Sequence, residues 1–202
     1  MTSNIRTNRP AQLKLGLLSA ALVACMAVVS ACDAPKVAPG RSNNSTQVFF
    51  VHARSGSPLA SSTAILLAAR AATRVDGSFG FDVAFDIDSK GYVLVLSPQV
   101  VGQNPAGNKL VGVITNIGLY NDITEAPLSG YTLDSAVAVR AGQAFVVQSQ
   151  EPLCASSNPS LPYLYAKMVI DSVDYPHRGI YGRALITGDC GYRSLIPGFP
   201  AF

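Results

Sequence analysis

Residue types able to do chemistry are scarce in this sequence. Its 202 residues include two histidines, four cysteines and no tryptophan, and only 13% of them are charged. The chain has no GxSxG motif of a serine nucleophile, and no CxxC pair or cysteine with a nearby histidine that would indicate a zinc or redox site. We therefore predict a protein that is not an enzyme and that has no metal site.

The two histidines are the only side chains of their kind that could act as a base near neutral pH. His52 lies in the strand-like run Val48–Ala53, where alternation puts it on the face shared with Phe50, and we interpret it as a packed strand residue. His177 follows Pro176 in a turn between two predicted strands, so it is the better candidate for contact with a ligand.

Three aspartates alternate with apolar residues in the run Phe81–Asp88, at Asp82, Asp86 and Asp88. Carboxylates at this spacing spread over about 20 Å of a strand, too far apart to hold one calcium ion unaided. We therefore predict a half-buried strand with a solvated acidic face. The turn Asp88–Gly91 after it predicts a hairpin.

Tyrosines near the ends of predicted strands are the strongest candidates for contact with a partner. Tyrosine combines a large apolar ring with a polar tip, and it is enriched where proteins bind one another. The candidate binding residues are Tyr120, Tyr163, Tyr175 and His177.

The N-terminal 31 residues have the pattern of a lipoprotein signal peptide. Arg6, Arg9 and Lys14 precede an apolar run, and no acidic residue interrupts it. Two cysteines, Cys25 and Cys32, each follow an aliphatic residue and small residues. We predict lipidation at Cys32, because a polar tether follows it, whereas an apolar stretch follows Cys25.

The alternative is an uncleaved signal anchor. The run 15–32 has 18 residues, close to the roughly 20 that cross a bilayer as a helix, although Gly, Ala and Ser make it weakly apolar. Both interpretations tie the remaining chain to the outer side of the cytoplasmic membrane. Asp33 after Cys32 resembles the inner-membrane retention signal of some bacterial lipoproteins, so we favour a periplasmic domain held at the inner membrane.

Charge outside the leader is balanced. Three of the 15 Lys and Arg residues lie in the leader, so the rest of the chain carries 12 of them against 12 Asp and Glu. A neutral domain lacks the basic surface that nucleic acids require, and we expect no nucleic-acid partner.

Two cysteines, Cys154 and Cys190, remain once Cys25 and Cys32 are assigned to the signal peptide and its lipidation site. An even pair in an exported domain predicts one disulfide, which would close a loop of about 37 residues and stabilise the fold by roughly 4 kcal/mol. The pair would fix the insertion 151–162 to the C-terminal region.

The pattern of short apolar runs predicts the fold class. These runs are rich in Val, Ile, Phe, Tyr and Thr and are separated by Gly, Pro, Asn and Ser. About nine strands with little helix indicate one all-β domain, an antiparallel β-sandwich or open barrel, over residues 47–202 behind a flexible tether at 32–46. The stretch Thr63–Ala72 is ambiguous between strand and short helix. The predicted strands are Gln47–Arg54, Thr63–Arg70, Phe79–Asp88, Tyr92–Ser97, Leu110–Thr115, Tyr131–Val139, Ala144–Gln150, Tyr163–Asp174 and Gly179–Thr187.

Four stretches of the sequence resemble the HmuY-like family of exported β lipoproteins. The stretch Asn121–Tyr131 is similar to the family string TEAP..GY, and Ala144–Gln148 and Tyr165–Val173 are similar to YVV.T and YAK..I.SV. Phe81–Phe85 is similar to its WDIAF strand, with Phe in place of Trp. The resemblance covers roughly Phe79–Ile186.

What the resemblance implies is an antiparallel β fold, a lipid anchor and, in the best-known members, haem capture. The family's haem ligands do not carry over, because neither His52 nor His177 aligns with one, and Met168 lies where the strand pattern predicts core. A shared scaffold does not by itself carry a function.

Three hypotheses for function follow. The first is a non-enzymatic, membrane-tethered lipoprotein that serves as an interaction or accessory subunit of a membrane complex. The second is a haem- or small-ligand-binding lipoprotein of the HmuY-like type. The third, a hydrolase, depends only on the two histidines and scattered acids. We favour the first, because charge is low and tyrosines and proline-rich loops are plentiful while catalytic motifs are missing.

Overall fold

The computed structural model describes residues 43–75, 80–102, 109–157 and 159–198, all within the unit Pro39–Phe202. The predicted signal peptide 1–31 with Cys25, the predicted lipidation site Cys32 and most of the predicted tether lie outside the described residues. In the described parts the strands are β1 Ser45–His52, β2 Ala64–Leu66, β3 Ala71–Thr73, β4 Val83–Ile87, β5 Val93–Leu96, β6 Val111–Thr115, β7 Val137–Val139, β8 Ala144–Gln150, β9 Tyr163–Asp174 and β10 Gly179–Ile186, and the helices are α1 Pro98–Val101 and α2 Pro152–Ser157.

Two antiparallel five-stranded sheets form the domain. One has the strand order β1-β10-β9-β8-β6 and the other β3-β2-β4-β5-β7. The prediction of an all-β sandwich is confirmed. Within the described residues, neither helix is long or apolar enough to cross a bilayer.

The main core lies between the two sheets, as the alternation of strand residues requires. It contains fully buried side chains from both sheets, among them Phe85 of β4 and Phe145 of β8. Met168 of β9 belongs to the same core and is completely buried, which confirms its predicted place there.

A second apolar cluster covers part of the outer face of the first sheet. Val146, Tyr165 and Leu185 on β8, β9 and β10 pack against Ile123 from the segment after β6 and Leu195 from the C-terminal segment. Because both faces are covered there, most of β8 and the stretch 164–170 of β9 are buried, and these stretches are largely apolar instead of alternating.

Strand β1 places neighbouring phenylalanines on opposite faces. Phe49 points inward and stacks on Phe85, with ring centroids 5.7 Å apart, while Phe50 points outward and lies 4.7 Å from the Tyr181 ring. The Phe50 ring also lies over Gly179 of β10, where an added Cβ would come within 3.0 Å of it. The glycine therefore leaves room for an outward aromatic ring on this strand.

Two segments differ from the sequence prediction. The ambiguous stretch around Ala64–Thr73 forms strands β2 and β3, joined by a turn in which Arg70 has φ 51°, and β2 pairs with β4. Tyr131–Val139 was expected to be one strand, but only Val137–Val139 is. Its first part instead forms an isolated bridge from Thr132 to Val113, which covers the edge of β6. The hairpin between β4 and β5 is confirmed, with Gly91 at φ 84°.

Candidate docking site

A shallow apolar groove lies on the outer side of the first sheet, beside the beginnings of β6 and β9. We call it the leucine–tyrosine groove and define it by Leu110, Leu128, Leu133, Tyr131 and Tyr163. Its volume is about 220 Å³, and Gly112, Ser129, Gly130 and Gln148 complete its lining. None of these lining residues is charged.

The segment after β6 forms one wall of the groove, because it returns to pair with the strand it has left. Thr132 and Val113 exchange backbone hydrogen bonds of 2.9 Å in both directions. This pairing lays Tyr131 against Gly112, where an added Cβ would come within 2.6 Å of the tyrosine Cβ. The wall can therefore approach β6 this closely only because residue 112 is a glycine, without a side chain.

Two tyrosine hydroxyls at the groove are held by local hydrogen bonds, that of Tyr131 in the wall and that of the buried Tyr165 beside Gln148. The hydroxyl of Tyr131 donates to the carbonyl oxygen of Pro127 at 2.9 Å, and burial raises the pKa of Tyr131 well above its usual value, with the nearby Tyr165 adding to the effect. Gln148 donates from Nε2 to the Tyr165 hydroxyl at 3.3 Å. These bonds satisfy both hydroxyls within the domain, while the leucines of the lining supply exposed apolar surface.

Three leucines give the groove its exposed apolar surface. Leu128 is 78% exposed, and Leu110 and Leu133 are about half as exposed. Sequence reasoning missed all three as surface residues, because Leu110 and Leu133 fell within predicted strands and Leu128 stands alone in a turn. The sequence feature that could have indicated an exposed apolar residue is a single leucine inside a turn, as in Pro127-Leu128-Ser129, because turns usually contain polar residues.

Tyr163, one of the predicted binding residues, lies in this groove at the first position of β9. Its backbone carbonyl accepts a hydrogen bond of 2.8 Å from the N–H of Gly191. The predicted disulfide is confirmed directly beside it, since Cys154 in α2 is bonded to Cys190 with a Cα–Cα distance of 5.4 Å. The disulfide thus fixes the C-terminal segment that holds Tyr163.

Tyr120 is placed differently, over the outer face of β9 and β10. The Lys167 ammonium lies 4.8 Å and the Arg183 guanidinium 5.3 Å from its ring centroid. Burial raises the pKa of Tyr120, and the Thr46 hydroxyl and Arg183 partly offset the rise. Lys167 is buried, donates to the carbonyl oxygen of Ile123 at 2.9 Å, and has its pKa lowered by burial. Tyr120 therefore packs a loop onto the sheet.

Tyr175 and His177 lie at the opposite end of the sheet, in the turn between β9 and β10. The Tyr175 hydroxyl donates to the carbonyl oxygen of Gly91 at 3.1 Å. The His177 ring Nδ1 lies 2.9 Å from Oδ2 of Asp174, and its side chain is largely exposed. The four predicted binding residues therefore do not form one surface, and only Tyr163 lines the leucine–tyrosine groove.

His52 ends β1 and lies beside Phe50, with the two ring centroids 4.7 Å apart in an edge-on arrangement. This is the packed strand position that the alternation predicted. Within the described residues, no group of three or more His, Cys, Asp and Glu side chains is arranged to hold a metal ion.

The expected solvated acidic face on β4 is wrong. Asp82 is completely buried, and its Oδ1 lies 2.6 Å from the Nζ of Lys109, which is itself 3.1 Å from Oε2 of Glu151. Asp82 also accepts hydrogen bonds from the backbone N–H of Leu67 and the hydroxyl of Ser149. A buried carboxylate needs such partners, and alternation along one strand cannot reveal them.

The other two aspartates of that strand are also used by the fold. Asp86 pairs with Arg178 at 2.8 Å and accepts from the N–H of Ser55. Asp88 accepts hydrogen bonds from the N–H groups of Lys90 and Tyr92, which closes the β4–β5 turn. The three carboxylates therefore have three separate structural roles.

The chain was compared with protein-family models, with curated proteins and with solved structures, and none of them matches it. The fold defines its class as an all-β sandwich. The resemblance to the HmuY-like family therefore stays a prediction.

Proposed function

We propose that this chain is a non-enzymatic lipoprotein, tethered at the periplasmic side of a bacterial membrane, whose β domain docks onto a protein of a membrane complex as an accessory subunit. The leucine–tyrosine groove is the observation that carries the proposal. It combines exposed leucines with tyrosine rings and has no charged residue in its lining. Contiguous apolar surface of this kind typically marks sites of protein association.

The uncharged lining of the groove indicates which kind of partner side chain would bind there. A neutral lining gains little from charge steering, so binding energy must come from burial of apolar area and from aromatic contact. The partner surface that fits is an uncharged apolar or aromatic side chain on another exported or membrane protein.

The position of the groove suits a partner in the membrane. Ser45 at the start of β1 pairs with Ile186 at the end of β10, and Tyr163 begins β9 at this same end of the sheet. Fully extended, the residues between Cys32 and Asn43 reach at most about 40 Å. A lipid on Cys32 would therefore hold Asn43 and the start of β1 within about that distance of the bilayer.

Co-purification from solubilised membranes tests this proposal. Tyr163→Ala and Leu128→Asp should each remove the partner subunits, since loss of an aromatic anchor typically costs about 2 kcal/mol or more, roughly thirtyfold in affinity. Leu59→Asp is the matched control, because Leu59 is 82% exposed but lies in the loop after β1, outside the groove. Subunits that stay bound to both groove variants would contradict the proposal.

The same preparation tests the haem-binding hypothesis. A Soret band that disappears with His52→Ala or His177→Ala would replace the docking function with the haem capture that the family resemblance implies. Partner subunits without a Soret band would support docking.

A further inference from the structure

The outermost strand of the first sheet has one edge that no described strand covers. β1 pairs with β10 on one side only. The N–H of Ala53 donates to the carbonyl oxygen of Arg178 in the β9–β10 turn. Because backbone groups point to alternate sides along a strand, the odd-numbered residues of β1 bond toward β10. Thr46, Val48 and Phe50 therefore direct their N–H and C=O groups away from β10, and none of these groups has a backbone partner among the described residues.

This open edge is bounded at both ends. Asn44 and Gly198 exchange backbone hydrogen bonds of 2.9 and 2.8 Å on the same side of the strand. At the other end the N–H of His52 donates to the carbonyl oxygen of Ser62 at 2.8 Å. The window available for another strand thus extends from Thr46 to Phe50.

The window lacks the usual protection of an edge strand. Natural edges carry charges, prolines or bulges that discourage further pairing. Ser45–His52 has no charged residue and no proline, and its central outward side chain, Val48, is 84% exposed. Beside it the exposed rings of Phe50 and Tyr181 add apolar surface on the outer face.

A groove opens beside this edge, between β1 and β3. It has a volume of about 150 Å³ and an apolar floor that includes Phe49, Ile65 and Ile186. Arg70 is the charged residue of its lining, and its Nη1 lies 3.4 Å from the carbonyl oxygen of Asn43, at the Thr46 end of the window. An apolar cavity of this volume can hold a small hydrophobic group.

We propose that β1 binds an extended segment of about five residues from a partner protein, which joins the sheet as an antiparallel strand. Residues of the segment opposite Thr46, Val48 and Phe50 lie on the outer face, because directly opposite residues share a face. The two residues between them point into the groove and are small and aliphatic. An acidic residue follows them, beside Arg70.

A short segment fits this edge better than a second copy of the chain. Antiparallel pairing of two β1 strands about Val48 would bring His52 of one copy to the position that Gly198 occupies beside Asn44 of the other. The same collision would occur at the other end. A segment whose ends turn away from the sheet avoids both.

This surface is independent of the leucine–tyrosine groove. β1 and β6 are the first and last strands of the sheet, so the two sites lie at its opposite edges. Failure of one proposal leaves the other intact, because the variants that test them do not overlap.

The test uses the full-length chain in detergent and the fluorescent peptide acetyl-Ser-Thr-Val-Thr-Val-Thr-Asp-amide. Fluorescence polarisation should show saturable binding. Val48→Pro should weaken it at least about tenfold, because proline removes the outward donor yet is tolerated on an edge strand. Val48→Ala keeps the donor and should weaken binding less. Leu59→Ala, at an equally exposed leucine, should leave it unchanged.

Modified peptides keep the test decisive if the proline variant does not fold. N-methylation of the central threonine, whose N–H faces Val48, should abolish binding, whereas N-methylation of a valine, whose N–H faces away, should not. Lysine in place of the aspartate should weaken binding. No binding by the unmodified peptide, or equal binding of both methylated peptides, would overturn the proposal. A concentration-dependent dimer lost in Val48→Pro would overturn it as well and assign the edge to a second copy.

Discussion

The Nζ atom of Lys109 lies 2.6 Å from Oδ1 of Asp82, in a place where both side chains are almost completely shielded from water. The second carboxylate of this cluster, Glu151, directly precedes α2 and its disulfide. The ion pair therefore joins the start of β4, the entrance to β6 and the end of β8.

Removal of the lysine charge should destabilise the domain strongly. Lys109→Met leaves Asp82 buried without its cation, and breaking a buried pair from one side typically costs about 3–5 kcal/mol. Urea unfolding should show this loss as a lower midpoint. The double variant Asp82→Leu/Lys109→Met should recover part of it, because the completely buried Asp82 carboxylate is removed together with its cation, and Glu151 is then the one carboxylate of the cluster without its lysine. A single variant as stable as the native chain would contradict a structural role for this pair.

The Cys154–Cys190 disulfide should stabilise the domain and hold Tyr163. The double variant Cys154→Ala/Cys190→Ala should lose about 2–4 kcal/mol of unfolding free energy. Amide exchange should also become faster at Gly191, whose N–H donates to the Tyr163 carbonyl. Peptide mapping of the non-reduced protein should find the two cysteine peptides joined, and two free thiols in protein from its native compartment would refute the disulfide.

Lipidation at Cys32 predicts that Cys32→Ala blocks processing or releases the domain from the membrane. The measurement is membrane fractionation together with the mass of the mature chain. Cys25→Ala is the matched control and should change neither. If Cys32→Ala leaves attachment and size unaltered, the segment is a signal anchor.

The turn between β9 and β10 should respond to acid through Asp174. Hydrogen bonds from the His177 ring and backbone hold the pKa of Asp174 below its usual value. Because this pKa is depressed in the folded state, the contribution of the pair is present above the ordinary aspartate range, about 3.9, and is lost as the pH falls through the folded value. His177→Ala should raise the measured pKa of Asp174 part of the way, since the backbone bond remains. NMR titration of the Asp174 carboxyl would show it, with His52→Ala as the control. An unchanged pKa in His177→Ala would contradict the assignment.

The sequence by itself determined the fold class and the cysteine pair. Strand periodicity is local, so runs such as Tyr163–Asp174 and Gly179–Ile186 could be predicted from their own residues. The disulfide followed because only Cys154 and Cys190 remain once Cys25 is assigned to the predicted signal peptide and Cys32 to lipidation. The hairpin at Asp88–Gly91 is local in the same way.

Tertiary structure alone decided which of these residues meet. Asp82 and Lys109 lie on separate segments of the chain. They form a buried ion pair only because the ends of the two sheets pack together and exclude water from both side chains. The four predicted binding residues all lie near the ends of predicted strands, so their sequence positions do not distinguish them. The tertiary structure brings only Tyr163 to the leucine–tyrosine groove. β1 has an open edge because it is the first strand in the order of its sheet. Strand order is decided by contacts between residues far apart in sequence, so the local pattern of residues in β1 does not reveal it.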